Sequence, residues 1–461
     1  MRRRILPLLL VLFLPSCLRA GDRAVNWAEL ERVALEELKQ TNTPGAAVAV
    51  VSGDRVVFAK GFGVASVETA APVTPDMLFR LGSTTKMMTA AALVSLAVEG
   101  KFKLDEPVGT YIKGLSPALA RLTAHQLLSH TAGLQDEAPM DGLHDDSALA
   151  ARVLAWNDEF LFTEPGQIYS YSNPGYVLAG FLLEQLGGKP YADMMAERVF
   201  RPLGMSRTTL RPTVAMTYPL AQGHRPGAGG KPEIIRPAPD YAGSWPAGSV
   251  FTSARDFARF GIAFLNDGKL DGKEVLPPTV IARLATPYSE THGGEDARYG
   301  YGLVVGRQRG VRMLSHGGSR AGYGSLVYLA PEHRFAALVL ANRSGAGLRK
   351  TAEKAMELLL PLEPKTDEAP KPPLPMRPAE VQKYVGVYVN GEGRLEVLLK
   401  DGKLFLKQGA RQTEVNKIGP SRFSFKVRES GRPPEFSLLP GPDGSICYLH
   451  LGGRAHRRTG T

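Results

Sequence analysis

Between residues 87 and 98 nearly every position is apolar: Met87, Met88, Ala90, Ala91, Ala92, Leu93, Val94, Leu96, Ala97 and Val98. A helix that is apolar on every side is a buried helix. Glu99-Gly100 ends it, because glycine takes the left-handed C-cap conformation without strain. Ahead of this run, Trp27, Leu30, Ala34 and Leu38 recur at helical spacing after a capping-box start at Asn26, predicting a helix to about Gln40. Thr43-Pro44-Gly45 breaks it, and β-rich runs at 46–51 and 55–62 flank Ser52-Gly53-Asp54, a hairpin signal. Helices are predicted again at 177–186, 253–265 and 347–360, with a helix and turn within 124–134. Strands are predicted at 299–305, 313–315, 325–329 and 335–341. Residues 217–249, rich in Gly and Pro, read as a long irregular excursion of the kind that borders a cleft. A helix and an antiparallel hairpin ahead of the buried helix argue for an α+β fold over alternating βαβ units.

The pattern then breaks. Residues 363–378 are rich in Pro, Lys and Glu, with Pro370, Pro372, Pro373, Pro375 and Pro378, and read as a semi-rigid linker. Beyond it the period becomes two: 384–389, then Leu395, Val397 and Leu399, then Asp401-Gly402, then Leu404 and Leu406. Asp-Gly between alternating runs is a hairpin signal. The alternation continues at 423–427, 435–439 and 446–451. This predicts a separate small all-β barrel or sandwich over 379–461, preceded by a larger α+β domain over 21–362 and an N-terminal segment, 1–20, of different character.

That segment reads as an export signal. Arg2-Arg3-Arg4 is a charged start, and the apolar stretch 5–14 is too short to span a bilayer as a helix. Leu14-Pro15-Ser16-Cys17 resembles a lipobox with Cys17 as the acylated residue, although Pro15 departs from the usual choice; cleavage after Ala20 is the competing reading. Either processing puts the protein outside the cytoplasm, as a periplasmic or membrane-anchored lipoprotein or a secreted protein. With Cys17 acylated or removed, Cys447 is left without a disulfide partner, so the fold must rest on core packing. The whole chain of 461 residues is 43% hydrophobic and 22% charged, a soluble globular composition. Its net charge of +11 includes the three leading arginines and is otherwise diffuse, with no basic run interleaved with aromatics. That argues against nucleic acid as a partner.

Three short patterns carry the candidate chemistry. Ser83 and Lys86 are three residues apart, which on a helix puts both side chains on one face. Desolvation there lowers a lysine pKa, and a neutral amine can take a proton from serine. The plainer reading of this pair is a capping serine and a snorkelling lysine. In Tyr171-Ser172-Asn173 the first and last side chains fall on the same side of an extended turn. A tyrosine beside the Lys86 ammonium is expected to have its phenol pKa lowered, making it a usable base. Asn173 could orient Lys86 or bond a substrate carbonyl or amide; a surface turn is the alternative. In His316-Gly317-Gly318-Ser319, glycines within a strand mark close approach of a ligand or backbone. A backbone N–H there, with that of Ser83, could form an oxyanion hole; a glycine bulge beside a solvated histidine is the alternative. His125, His130 and His144 lack metal-ligand spacing, and nothing calls for a metal or other cofactor.

Taken in order, Ser83-x-x-Lys86, Tyr171-x-Asn173 and His316-x-Gly318 resemble the motifs of the serine β-lactamase and penicillin-binding protein superfamily. The likeness is to its class C-like branch, which includes esterases and D-amino peptidases. Three further stretches are similar to that family: 128–134 (Leu-Ser-His-Thr-Ala-Gly-Leu), Pro165-Gly166, and Pro202-Leu203-Gly204-Met205. The resemblance runs from about Trp27 to Leu360, and the tail resembles the lipocalin-like barrel often appended to such hydrolases. It implies an antiparallel sheet flanked by helices, plus an all-α subregion. It implies that Ser83 is an acyl-forming nucleophile, that Lys86 and Tyr171 share the proton work, that Asn173 binds the acyl side chain, and that the N–H groups of Ser83 and Ser319 hold the oxyanion. His316 stands where many β-lactamases carry lysine, which disfavours efficient β-lactam hydrolysis and favours ester, small-peptide or amide substrates. A true β-lactamase and a non-catalytic binder of cell-wall-like ligands are the alternatives. Tyr323 could stack on a substrate, Arg320 could meet an anionic group, and the barrel could cover the cleft or bind substrate.

Overall fold

The structure, a computed structural model, describes residues 25–293, 296–366, 371–426, 434–441 and 443–460. The segment 1–20 with Cys17, Pro370 of the linker and the strand end at Val427 lie outside the described residues.

The first helix, α1 (Trp27–Thr41), forms as its apolar spacing predicts, but Asn26 makes no side-chain capping bond. It leads into the hairpin β1 (Gly45–Ser52) and β2 (Arg55–Gly63). Six later strands complete one sheet: β3 (Ser289–Glu290), β4 (Arg298–Tyr299), β5 (Val304–Gln308), β6 (Val311–Arg320), β7 (Tyr323–Ala330) and β8 (Phe335–Ala341). Their order is β2-β1-β8-β7-β6-β5-β4-β3, antiparallel throughout. β1 and β8 are short on polar residues because both sheet faces are covered. Ala46, Val48 and Val50 pack with Leu30 and Ala34 of α1 and with Ala352 and Met356 of the helix Arg349–Leu359. Their alternates, Ala47, Ala49 and Val51, join the larger core on the other face.

That second core contains the apolar helix, α2 (Thr85–Val98), with Met87 to Leu96 buried around its circumference. A 3₁₀ turn at Gly82–Thr84 feeds it, and Gly100 closes it at φ +75°. Against α2 packs α3 (Asn173–Gly187) of the helical subregion, and the short helix Ala124–Leu128 packs in turn on α3. The fold is therefore the mixed helix-and-sheet arrangement that the motifs imply. β6 runs well beyond the predicted 313–315, because Gly317 and Gly318 hide a strand from a pattern read on side chains. The excursion 217–249 holds a small hairpin, His224–Pro226 with Pro232–Ile234, and two adjoining helical turns, Ala242–Ser244 and Trp245–Gly248.

The tail closes into an eight-stranded antiparallel barrel. Its strands are β9 (Gly386–Asn390), β10 (Gly393–Lys400), β11 (Lys403–Gln408), β12 (Arg411–Lys417), β13 (Arg422–Phe425), β14 (Glu435–Pro440), β15 (Ile446–Leu451) and β16 (Arg454–Gly460). The inward alternates Tyr388, Leu395, Val397, Leu404, Leu406, Phe423, Leu438 and Leu449 fill it. Asp401 and Gly402 both take positive φ, as a two-residue hairpin turn between twisted strands requires.

Candidate active site

The turn that carries Ser83 is built by close backbone approach. Gly82 sits at φ +60°, and a Cβ added to it would lie 2.5 Å from the Ser319 nitrogen. On β6, a Cβ on Gly318 would lie 1.9 Å from the Leu81 carbonyl oxygen. The two glycines let the end of β6 lie directly on the Ser83 turn, bringing the backbone around Ser319 beside that of Ser83. Leu81 O also accepts from the Ser325 hydroxyl at 2.6 Å and the Thr84 hydroxyl at 3.1 Å, pinning the turn to β7.

Lys86 is wholly buried in the first turn of α2. Its amine donates to Asn173 Oδ1 at 2.8 Å, to the Ala247 carbonyl at 2.7 Å and to Ser83 Oγ at 3.3 Å. It lies 4.8 Å from the centre of the Tyr171 ring and 5.5 Å from that of Tyr176. Burial holds its pKa well below the usual lysine range; Asp136 opposes that push, and Arg454 and Arg320 add to it. With its pKa depressed the amine can shed one proton: two N–H groups then serve Asn173 Oδ1 and the Ala247 carbonyl, and the lone pair is left facing Ser83 Oγ to receive the hydroxyl proton.

Tyr171 departs from expectation. Its pKa is raised, not lowered. Desolvation of the phenolate is the dominant cause, and the Ser83 hydroxyl and Arg454 only partly offset it. Lys86 cannot stabilise a phenolate as a fixed cation would, because its own charge is disfavoured by the same burial. The Tyr171 hydroxyl is buried and has no hydrogen-bond partner of ordinary geometry, so it is a phenol free to give or relay a proton. His130 shapes its setting: the two ring centres are 4.3 Å apart, and His130 Nδ1 accepts from the Ser172 N–H at 3.1 Å.

His316 is buried 6.0 Å from the Tyr171 ring. Its Nδ1 meets the Gly317 carbonyl at 2.7 Å and its Nε2 meets the Tyr299 hydroxyl at 3.0 Å. Burial, then Lys86, push its pKa down to about 4, so it presents no cation near neutral pH. Tyr323 does not face the cleft as a stacking platform: it is 8% exposed, and its hydroxyl donates to the Ala221 carbonyl at 2.7 Å.

Two charged residues at the site carry no motif signal. Asp136 Oδ1 accepts from the Asn173 backbone N–H at 2.8 Å and from its Nδ2 at 3.1 Å, which fixes the amide so that its oxygen faces Lys86. Asp136 Oδ2 accepts from Arg454 Nε at 2.5 Å. Arg454 comes from the barrel, just past the Gly452-Gly453 turn between β15 and β16. Its guanidinium lies 5.1 Å from the Tyr171 ring centre. The same hairpin is bonded to the larger domain through Tyr171 N–H to Gly453 O at 2.8 Å and Ala455 N–H to Ser170 Oγ at 3.1 Å. The Asp136 N–H adds a bond to Asn390 Oδ1 at 3.3 Å. Asp136 lies in a polar stretch with no motif, and nothing in the sequence says where the Gly452-Gly453 turn docks.

The profile of the family described as Beta-lactamase matches residues 30–360. Penicillin-binding protein 4 of Amycolatopsis lactamdurans is 30% identical over 361 residues, covering 75% of this chain and 93% of that protein. A D-aminopeptidase of Gluconobacter oxydans (strain 621H) is 29% identical, over 70% of this chain and 60% of that protein. Among solved structures, the crystal structure of SurE superposes with a TM-score of 0.77 at 27% identity, covering 94% of this chain and 99% of that one.

Proposed function

Because this chain belongs to the beta-lactamase family of serine hydrolases, we propose that it is an exported hydrolase that cleaves carboxylic esters or small peptide and amide bonds through an acyl-enzyme on Ser83. The observation that carries the reading is the Lys86 amine, buried with a depressed pKa and 3.3 Å from Ser83 Oγ. Neutral Lys86 takes the serine proton as Ser83 Oγ bonds to the carbonyl carbon. The backbone N–H groups of Ser83 and Ser319 hold the developing oxyanion. As the tetrahedral species collapses, the bond to the leaving group breaks, and the phenol of Tyr171 passes it a proton that Lys86 replaces. Water then attacks the acyl ester and loses its proton along the same path in reverse, releasing the acid and Ser83. Asn173, held by Asp136, steadies the lysine and offers its amide edge to the acyl group. Similarity to a D-aminopeptidase supports peptide or amide substrates. Neutral His316 at the position of the β-lactamase lysine weighs against efficient β-lactam turnover. Export rests on the character of residues 1–20, and anchoring on a lipid at Cys17.

The test is intact-mass analysis after a fluorophosphonate, on the mature protein and on Ser83→Ala. One adduct on the parent and none on the variant is the expected result. Equal hydrolysis of a chromogenic acyl ester by both would overturn the mechanism, and no adduct on either would favour a ligand-binding protein.

A further inference from the structure

Arg320 is the last residue of β6, one position past Ser319, and the mechanism above does not use it. It is 6% exposed, yet its Nε and Nη2 are buried without a hydrogen-bond partner. Those two nitrogens form one edge of the guanidinium, the side-on fork that a carboxylate spans with two parallel bonds. Two other arginines lie close, and each has its carboxylate. Arg80 pairs with Asp240 at 2.5 Å and also donates to the Pro239 carbonyl at 2.7 Å. Arg152 pairs with Glu137 at 2.8 Å and donates to Gly243 O and Ser244 Oγ. Asp240 is further occupied by the Trp245 indole N–H at 3.3 Å. The other carboxylate acting on Arg320, Asp141, belongs to an exposed turn. Burial and the Arg80 charge push the Arg320 pKa down to about 9, the condition of a cation lacking its own counter-ion.

The strand fixes which side of the scissile bond this edge serves. Residues at i, i+2 and i+4 share a face, so His316, Gly318 and Arg320, all buried, look the same way. Gly318 on that face rests on the Ser83 turn. His316, at one end, lies beside Tyr171, which must protonate the leaving group. Arg320 is four residues on, about 13 Å along the strand at its usual rise, at the opposite end. It directly follows Ser319, whose backbone lies against the Ser83 turn, so it borders the same site. We propose that Arg320 is a carboxylate-binding group of the acyl subsite, so that the preferred substrates carry an anionic carboxylate on the acyl side of the scissile bond. This rests on the hydrolase reading for which side is acyl; the anion site itself does not.

The experiment separates the two. Calorimetric titrations use Ser83→Ala protein, which needs no catalysis. The probes are matched pairs: the N-acetyl α-methylamides of glutamate and glutamine and of aspartate and asparagine, in both enantiomers. Within each pair only a carboxylate and a carboxamide differ. For at least one pair the acid is expected to bind roughly tenfold more tightly than the amide, as suits a charge-assisted fork. In Ser83→Ala/Arg320→Gln that preference is expected to vanish, with Arg320→Lys intermediate. Arg320→Met, which keeps the buried stem, replaces the glutamine if its melting curve shows a folding defect. Equal binding within every pair, no binding of any acid, or an acid preference that survives loss of the guanidinium overturns the proposal. Failure of fluorophosphonate labelling would overturn the hydrolase reading and leave this result standing.

Discussion

Substituting Arg454→Ala removes a barrel side chain that makes no hydrogen bond to Ser83 or Lys86, so it acts on catalysis in two ways: through the Asp136 it holds, and through its charge on Lys86. The change leaves Asp136 Oδ2, on a side chain 12% exposed, without its charged partner. A hydrogen bond to a charged group contributes about 1.5–3 kcal/mol. Arg454 is itself 39% exposed, so the lower end applies. If that energy holds Asp136, and through it Asn173, in the geometry that faces Lys86, its loss slows the reaction a little over tenfold. The sign of the pH effect is fixed separately. Arg454 depresses the Lys86 pKa and Asp136 raises it. Arg454→Ala should therefore move the acidic limb of kcat/KM for a chromogenic ester to higher pH. Asp136→Asn should move it to lower pH. A purely structural defect lowers the plateau in both variants and shifts neither limb. Arg454→Lys keeps the charge and should restore most of the limb position. An Arg454→Ala enzyme within twofold of the parent, with an unmoved limb, would refute the coupling of barrel to lysine.

Other outcomes follow from the same geometry. Lys86→Met should keep the fold, since methionine fills the buried stem, and slow fluorophosphonate labelling about 10²–10⁴-fold; a labelling rate near the parent's would exclude Lys86 as the proton acceptor. Gly318→Ala puts a methyl 1.9 Å from Leu81 O and 2.2 Å from Ser325 Oγ. It should cost about 1–3 kcal/mol in urea unfolding and about 100-fold or more in ester hydrolysis, and normal activity would show that β6 need not lie on the Ser83 turn. His316 and His450 are buried, with pKa values pushed from 6.5 down to about 4 and about 3, so the unfolded chain binds their protons first. Their stabilisation is present above pH 6.5 and is lost as pH falls through those folded values, by roughly 3 kcal/mol for His316. Urea midpoints that do not change between pH 7 and pH 4.5 would contradict this.

The parts of the site that are local in sequence were legible. Three-residue spacing places Ser83 and Lys86 one helical turn apart, and two-residue spacing in an extended turn carries Tyr171 and Asn173. Hydrophobic period marked the buried helix, the first hairpin and the alternation of the tail. Other features depend on distances that no pattern encodes. The Ala247 carbonyl reaches Lys86 from an excursion that reads as irregular and cleft-bordering, with nothing to single out that carbonyl. β6 was cut short because its glycines carry no side-chain signal. The direction of the Tyr171 pKa was misjudged because proximity to lysine was weighed without the burial of both groups. Asp136 and Arg454 are ordinary residues by composition, and only the docking of the barrel makes them part of the site.

The Asp136–Arg454 bond joins positions 318 apart in the chain. Translation runs from the N-terminus, so Ser83, Lys86, Tyr171 and Asn173 all leave the ribosome long before the hairpin that carries the guanidinium. A chain that stops ahead of residue 454 keeps the nucleophile and the lysine but lacks the charge that helps depress the amine's pKa. The full set of charges around the lysine therefore exists only once the last hairpin of the barrel has docked on the larger domain.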